Sequence, residues 1–286
     1  MESLAVWIED VIKAFIASSP ENSLRNQDEE KAWAEPLVGF AGGADPIFDF
    51  LKRDIGEFLW NPREIFLLSY PRSHVSPHRL TVISWILPQL DQTKADNRAA
   101  KRLPAERWLR SRKFGEDCNV KLAAHAVKIL EERGYRAVAP SLLSPSWKWQ
   151  TSHRYGFASN WSERHAAYAA GLGTFGLCDG LITKAGKAIR CGSVVADIGV
   201  APSARTYQDH HAYCLFYTQG TCGKCIPRCP AGAISKLGHD KGKCMMFLYS
   251  TVSPHASAVY GFDSYGCGLC QTGVPCESAV PASDEG

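Results

Sequence analysis

Cysteines concentrate in the last quarter of the chain. The 286-residue sequence contains eleven cysteines. Eight of them lie close together near the C-terminus: Cys214, Cys222, Cys225, Cys229, Cys244, Cys267, Cys270 and Cys276. Six belong to two short runs, Cys222-Gly-Lys-Cys225-Ile-Pro-Arg-Cys229-Pro230 and Cys267-Gly-Leu-Cys270-Gln-Thr-Gly-Val-Pro-Cys276. Thiolates are soft ligands, and cysteines two residues apart can bind one metal centre. This tail therefore predicts metal binding.

Three kinds of cysteine site can be weighed. Disulfides are disfavoured, because residues 1–10 carry acid where a secretory signal carries base and a chain of this size needs no covalent cross-links. Two structural zinc sites remain an alternative, since paired Cys-x2-Cys units also bind zinc. The run Cys-x2-Cys-x3-Cys-Pro is part of the bacterial ferredoxin pattern, and Pro230-Ala-Gly-Ala-Ile234 continues it. Eight thiolates would hold two [4Fe–4S] clusters, which is the favoured interpretation.

Length and composition limit the possible classes of protein. A chain that is 45% hydrophobic can bury a sizeable core and is expected to form two domains. The net charge of +3 gives no strong argument for nucleic-acid or membrane binding. There is no apolar run near 18 residues, and no twin-arginine signal near the N-terminus. We therefore expect a cytoplasmic protein that does not bind a membrane.

Hydrophobic periodicity predicts the main helices and strands. The predicted helices cover residues 4–17, 46–60, 118–133 and 162–170, and the predicted strands cover residues 79–87, 135–139 and 189–198. Residues 19–45 and 140–160 are interpreted as loops. The second loop is rich in aromatic residues, which would suit the wall or lid of a flat cofactor or substrate, or else a small hydrophobic cluster.

Two further segments have more than one interpretation. Residues 101–113 are basic with an interleaved Trp108, so they form either a solvated face or a nucleic-acid contact. Residues 171–176 have the spacing Gly-x-Gly-x-x-Gly. A dinucleotide site is rejected, because these glycines follow a helix, whereas the dinucleotide fingerprint follows a strand and opens a helix.

The segment Trp161-Ser-Glu-Arg-His-Ala-Ala-Tyr-Ala-Ala-Gly-Leu-Gly-Thr-Phe-Gly176, followed by Cys-Gly-x-Cys and Gly-Cys-x-x-Cys-Gln, resembles the epoxyqueuosine reductase and reductive dehalogenase superfamily. The resemblance implies a mixed α/β (α+β) fold. A nitroreductase-like, corrinoid-binding domain would cover residues 1–208, with an N-terminal helical extension. A ferredoxin-like module with two [4Fe–4S] clusters would cover residues 209–286.

The resemblance also implies how the cysteines divide between the clusters. One cluster would take Cys222, Cys225 and Cys276. The ligands of the other would be Cys229, Cys244, Cys267 and Cys270. The superfamily places a further cysteine where this chain has Gln219, so Cys214 is the expected eighth ligand. A three-iron cluster and a non-cysteine fourth ligand stay open as alternatives.

Further site residues follow from the same resemblance. A corrinoid would contact His165 and the glycine-rich segment, at Gly171, Gly173, Thr174 and Gly176. The corrinoid would be base-off, because the Asp-x-His-x-x-Gly signature of histidine ligation is absent. Asp117 falls where the superfamily has its proposed proton donor. The alternative role for Asp117 is to cap the helix over residues 118–133.

The implied function is a cobalamin-dependent iron–sulfur reductase. Ferredoxin or flavodoxin would donate electrons, and the substrate would be a small molecule or epoxyqueuosine in tRNA, for which the basic segment 101–113 is suited. One alternative is a non-catalytic electron carrier or activase serving a partner enzyme, with residues 147–161 as a docking surface. The other is a structural zinc protein.

Overall fold

A four-stranded antiparallel sheet organises the first two thirds of the chain. The computed structural model describes residues 3–144 and 146–282. The sheet has the order β1-β2-β8-β3. Its strands are β1 (Leu37–Gly42), β2 (Leu80–Pro88), β3 (Ala137–Val138) and β8 (Ile189–Asp197), and three hairpins use β4 (Trp149–Ser152), β5 (Gly156–Ser159), β6 (Gly173–Phe175), β7 (Leu181–Thr183), β9 (Ile234–Ser235) and β10 (Gly238–His239).

The central strands β2 and β8 were both expected from the sequence. They pair from Leu80 opposite Asp197 to Pro88 opposite Ile189. Every residue of β2 is buried, which agrees with its run of β-branched and aromatic side chains. Both predicted strands are confirmed within one residue at each end.

Helices cover both faces of the sheet. Their bounds are α1 (Leu4–Ser18), α2 (Ile47–Ile55), α3 (Pro62–Ser69), α4 (Asp91–Ala99), α5 (Glu106–Arg110), α6 (Glu116–Glu132), α7 (Glu163–Ala169), α8 (Leu215–Gln219), α9 (Lys241–Phe247) and α10 (Ser253–His255). On one face α1 and α6 pack around Trp85 of β2. On the other face α3 and α7 pack around Val82 of β2 and Val195 of β8. The alternation of side chains along β2 and β8 thus supplies two cores.

The helix predicted over residues 46–60 is shorter than expected. It ends at Ile55, because the next residue, Gly56, has a φ of 151°, which lies outside the helical range. Asn61 and Pro62 then begin α3, which the sequence analysis missed. The side chain of Asn61 accepts a hydrogen bond from the Glu64 amide, and the Glu64 carboxylate accepts one from the Asn61 amide. This reciprocal cap fixes the start of α3.

Both predicted loops contain strands. Residues 19–45 include β1, where Gly39 is required because a Cβ there would lie 2.5 Å from the carbonyl oxygen of Ala170. Residues 140–160 include the β4–β5 hairpin, which pairs Trp149 with Ser159. The interpretation of both segments as loops was therefore wrong in part.

The last quarter of the chain packs tightly on the rest. Arg228 donates hydrogen bonds to the carbonyl oxygens of Asn97 and Ala100, both at 2.9 Å. A salt bridge joins Arg98 to Glu277. Within residues 3–144 and 146–282, no helix is both long and apolar enough to cross a membrane.

Candidate metal centre

Four of the predicted ligands line one small cavity, and we call them the first thiol group: Cys214, Cys222, Cys225 and Cys276. Three of these cysteines are buried, and Cys222 is half-buried. Cys214 comes directly before α8. The Cys276 carbonyl accepts a hydrogen bond from the Lys187 amide at 2.8 Å, which fixes the end of the chain beside β8. Three separate stretches of the sequence thus bring their thiols to one place.

The remaining predicted ligands form the second thiol group: Cys229, Cys244, Cys267 and Cys270. All four are half-buried. Burial first, and then the charges of Cys244 and Cys229, raise the pKa of the Cys267 thiol to about 12. The Cys229 sulfur accepts a hydrogen bond from the Ala233 amide at 3.3 Å. The turn after Cys229, expected from its ferredoxin-like sequence, therefore contacts this thiol group directly.

The part of the chain that the structure describes contains no complete binding site for a single metal ion. Within it, no three His, Cys, Asp or Glu side chains converge closely enough to hold one metal ion. A single Zn²⁺ holds its thiolates at about 2.3 Å, whereas the thiolates of a four-iron cluster bind four different atoms of a larger body. The assignment of the eight cysteines to two clusters stays a prediction.

A ninth cysteine, which the sequence analysis did not assign, lies between the two thiol groups. Hydrogen bonds from Cys225 and Cys270 are the main reason that the pKa of the buried Cys178 thiol falls well below its ordinary value. Cys178 therefore contacts one member of each group. Cys178 lies 36 residues before Cys214, the first of the predicted ligands, so its position in the sequence gave no signal of this contact.

Lys187 is the charged partner of Cys178. Its Nζ donates to the Cys178 sulfur at 3.3 Å, and the residue is 2% exposed. Burial lowers the pKa of the ammonium, but attraction to Cys178, Cys276 and the neighbouring thiolates outweighs burial and raises the pKa above its ordinary value. No carboxylate forms a salt bridge with Lys187 among the described residues.

The surroundings of Lys187 provide a test of whether a cluster fits. A buried ammonium is costly unless negative charge lies beside it. Here that charge can come only from sulfur, because thiols are the partners that Lys187 faces. A thiolate-bound iron–sulfur cluster would supply such charge, so the donor set fits a cluster.

A second charged site, which we call the polar cluster, consists of Arg112, Glu116, Glu163, Arg190 and Ser193. Glu116 pairs with Arg190 and with Arg112. The Ser193 hydroxyl donates to the Glu163 carboxylate and accepts from the Trp161 indole at 3.1 Å. None of these five residues was assigned from the sequence, since helix and strand periodicity does not reveal that α6, α7 and β8 meet here.

Glu163 has the protonation behaviour of an acid that works at neutral pH. Burial raises its pKa to about 7, against the lowering effect of the Ser193 hydrogen bond and of Arg190. Carboxyl groups perturbed in this way by burial are frequent at functional sites. Glu163 is therefore a candidate proton donor.

Asp117, the proton donor predicted from the resemblance, does not cap a helix. Helix α6 begins at Glu116, and a π-helical turn joins it to α5. Asp117 thus lies in the first turn of α6 and not before it, so the capping role was wrong. The side chain is half-buried, and its catalytic role stays a prediction.

Protein atoms contact the residues expected to bind a corrinoid. A Cβ at Gly173 would overlap the carbonyl of Ile182 in the β6–β7 hairpin, and Gly171 adopts a φ of 80° against the Ala204 carbonyl. Thr174 is fully buried and accepts a hydrogen bond from the Tyr213 amide. Gly176 also packs on Ile182. These four residues have structural reasons to be present without a ligand.

His165, the fifth expected corrinoid contact, is half-buried. Its Nδ1 lies 2.8 Å from the Ser162 hydroxyl, and its ring packs on Phe175. Burial lowers the pKa of the imidazole to about 3, so the ring is neutral at physiological pH. A neutral ring in an aromatic setting is compatible with either a packing role or a contact with a flat ligand.

The basic and aromatic segments can now be placed. Arg107 pairs with Glu30 and Asp96, and Arg110 pairs with Glu106. Much of the positive charge of residues 101–113 is therefore neutralised within the protein. By contrast, Trp149 on the β4–β5 hairpin is 66% exposed.

No protein-family model matches the chain. An epoxyqueuosine reductase of Bacillus anthracis is 31% identical over 119 residues, which cover 40% of this chain and 29% of that protein. The matched segment is thus well under half of the length of this relative.

Solved structures extend the comparison. The structure reported as suggesting a mechanism for B12-dependent dehalogenation, a reductive dehalogenase, matches with a TM-score of 0.52 and 14% identity over 98% of this chain and 38% of its own. An epoxyqueuosine reductase of Bacillus subtilis matches with a TM-score of 0.48 and 16% identity, over 96% of this chain and 67% of its own. The chain is thus similar in sequence to an epoxyqueuosine reductase over part of its length and similar in fold to a reductive dehalogenase, in agreement with the resemblance of its motifs.

Proposed function

We propose that this protein is an iron–sulfur reductase of the corrinoid-dependent type. Two [4Fe–4S] clusters would supply low-potential electrons, and a base-off corrinoid would carry out the reduction of an organic substrate. The first and second thiol groups would each hold one cluster. The proposed electron donor is a ferredoxin or a flavodoxin.

The observation that carries the proposal is the cavity of the first thiol group. Cys214 joins Cys222, Cys225 and Cys276 on its wall, as expected if Cys214 replaces the ligand missing at Gln219. Burial of Lys187 against the thiols adds independent support, because its charge calls for negative charge at this place. The cluster half of the proposal therefore rests on the geometry of this chain.

The corrinoid half rests on the resemblance to the superfamily, including the B12-dependent dehalogenase. The contacts of Gly173, Thr174 and Gly176 are satisfied within the protein and add no support for a corrinoid. We therefore derive no catalytic step through the corrinoid from these residues.

Proton supply can be assigned to residues of the chain. The Glu163 carboxyl would hold a proton at neutral pH, and Ser193 would orient it through their hydrogen bond. A general acid with a pKa near the working pH contributes typically about 10²–10⁴-fold to a rate. Asp117 is the competing candidate by resemblance.

The ion pairs of residues 101–113 help to choose between a small-molecule substrate and tRNA. Arg107 and Arg110 are engaged by carboxylates, so fewer free cations are available for a phosphate backbone. A small organic substrate is therefore proposed ahead of tRNA.

The test is anaerobic reconstitution followed by metal analysis and cobalamin addition. We expect about eight irons per chain, a broad absorption band in the visible range, and a tight complex in which the corrinoid is base-off. Zinc at about two ions per chain without iron would refute the proposal. A Cys225→Ser, Cys276→Ser variant serves as the control, because it should lose the cluster of the first thiol group.

Two observations favour one other function: Trp149 is exposed, and the glycines of residues 171–176 pack against protein atoms. A non-catalytic electron carrier would need the two clusters, a docking surface for its partner and no corrinoid. The same experiment separates the two functions. Full iron loading without any cobalamin complex would support the carrier, and a base-off complex would support the reductase.

A further inference from the structure

We propose that the ammonium group of Lys187 is a positive charge shared by the two predicted clusters and that it raises their reduction potentials, with Cys178 positioning it. This inference rests on the cluster half of the proposed function and is independent of the corrinoid. Neither residue belongs to the predicted ligand set.

The location of Lys187 supports a shared role. It lies on the wall of the first thiol group's cavity, and its Nζ donates to Cys178 at 3.3 Å. Cys178 in turn belongs to the same packed cluster as Cys225 of the first thiol group, and Cys270 of the second thiol group packs against that cluster. The buried Lys187 ammonium is therefore close to the first thiol group and is linked to the second thiol group through Cys178.

Lys187 is held firmly at this position. Its backbone amide donates to the carbonyl oxygens of Cys276 and Glu277, at 2.8 and 3.1 Å. Its aliphatic stem packs against Gly180, where a Cβ would lie 2.7 Å from the Lys187 Cδ. The ammonium therefore has little freedom to turn away from the sulfur atoms.

The direction of the effect follows from electrostatics. Reduction adds one negative charge to a cluster, and a nearby cation stabilises the added charge more than it stabilises the oxidised state. The effect is strong where water is excluded, because the local dielectric constant is low. Net charge and hydrogen bonds around the sulfurs are known determinants of cluster potential. Lys187 should thus favour the reduced form of both clusters.

The effect should be unequal. Lys187 lies on the wall of the first thiol group's cavity together with Cys225 and Cys276, and no cysteine of the second thiol group lines that cavity. The amide hydrogen bond of Lys187 also reaches Cys276. We therefore expect the larger change in the cluster of the first thiol group.

The experiment is a potentiometric titration of the reconstituted full chain, followed by electron paramagnetic resonance. Lys187→Met removes the charge and the donor, and Lys187→Gln removes only the charge. Both should shift the reduction equilibrium of the first thiol group's cluster about tenfold toward the oxidised form, which is 59 mV for one electron, and that of the second cluster by less. Lys187→Arg should stay within about threefold of the parent chain, because it keeps the charge.

Two further variants sharpen the test. Cys178→Ala removes the acceptor of the ammonium and also a neighbouring sulfur charge, two changes of opposite sign, so it should shift the potentials less than Lys187→Met does. Lys94→Met is the matched control, since Lys94 is also buried, at 8% exposure, but pairs with Asp91. It should leave both potentials unchanged.

The possible outcomes are separable. Parent-like potentials in Lys187→Met and Lys187→Gln with full iron content would overturn the inference. If Lys187→Met fails to take up iron, the Lys187→Gln result decides. A parent chain that binds no iron would instead refute the proposed function itself.

Discussion

The two thiol groups are built in different ways. In the first, three of the four cysteines are buried and pack on Leu177 and Ile182 of the N-terminal part of the chain. In the second, all four cysteines are half-buried. The first thiol group therefore contributes three members to a hydrophobic core, whereas Cys229, Cys267 and Cys270 of the second lie at the edges of cores.

Their charged neighbours differ as well. The buried Lys187 faces the first thiol group. His239 lies beside Cys244 of the second thiol group and 3.1 Å from Asp179. A cation in a dry site changes the local energy of charge more than one near water. This difference predicts that buried charge changes the reduction potential of the first cluster strongly. It also predicts that the second cluster is accessible to an electron donor.

Selective loss of each group gives the largest expected effect. Cys225→Ser with Cys276→Ser, and separately Cys229→Ser with Cys267→Ser, should each halve the iron content from about eight to about four per chain. Only the first pair should also lower the free energy of unfolding strongly, because it disrupts a core. Iron analysis and denaturant titration measure both effects.

The control for these variants is Cys118→Ala, a buried cysteine of α6 outside both groups. It should keep the full iron content. Equal destabilisation by the two pairs of substitutions would contradict the difference between the groups.

Arg228 joins the two groups, because it lies between Cys225 and Cys229. Arg228→Met would leave the carbonyl oxygens of Asn97 and Ala100 without their donor. We expect a loss of about 3 kcal/mol in unfolding free energy, and weaker iron retention in both groups. The exposed Lys224 in the same loop supplies the control variant, Lys224→Met, which should unfold like the parent chain.

The polar cluster predicts a pH effect that is independent of iron. The pKa of Glu163 is raised from 4.5 to about 7 in the folded chain, so its neutral form stabilises the fold. That stability is present below pH 4.5 and is lost as the pH rises through about 7. Relative to Glu163→Gln, the parent chain should lose roughly 1–3 kcal/mol across this window.

Thermal unfolding at several pH values measures this difference. Glu57→Gln, at an exposed position, should show the same pH dependence as the parent chain. A Glu163→Gln profile that runs parallel to the parent profile would show that Glu163 titrates normally.

The smallest effect is expected from His239→Asn. It removes the imidazole beside Cys244 in the more exposed group, where solvent screens charge. We expect a shift of less than about threefold in the reduction equilibrium of the second cluster, and no change in the first. A larger shift in the first cluster than in the second would contradict the placement of His239 beside the second thiol group.

The sheet could be predicted where local sequence and burial agree. Strand β2 is rich in β-branched and aromatic residues, β8 contains Val194 and Val195, and both strands were found. Strand β1 was missed because Gly39, Gly42 and Gly43 resemble a loop. Gly39 is explained by Ala170, directly after α7, which packs against it; this is a contact between distant parts of the chain.

The same limit applies to the candidate site. Cysteine spacing predicted two groups of thiols, because the spacing itself is the chemical signal. The pairing of Lys187 with Cys178 depends on a hairpin and the chain end meeting in space, and Glu163 depends on α7 packing on β8. Neither of these contacts produces a periodic pattern in the sequence.

The core position of the first thiol group would link the amount of this protein in a cell to iron. Cys214, Cys225 and Cys276 are members of the core, together with Leu177, Ile182 and Val274. If these thiols bind the proposed cluster, this core gains part of its folding energy only when the metal binds. Chains made during iron shortage would therefore spend more time partly unfolded and be degraded faster, so that iron supply would set the amount of protein.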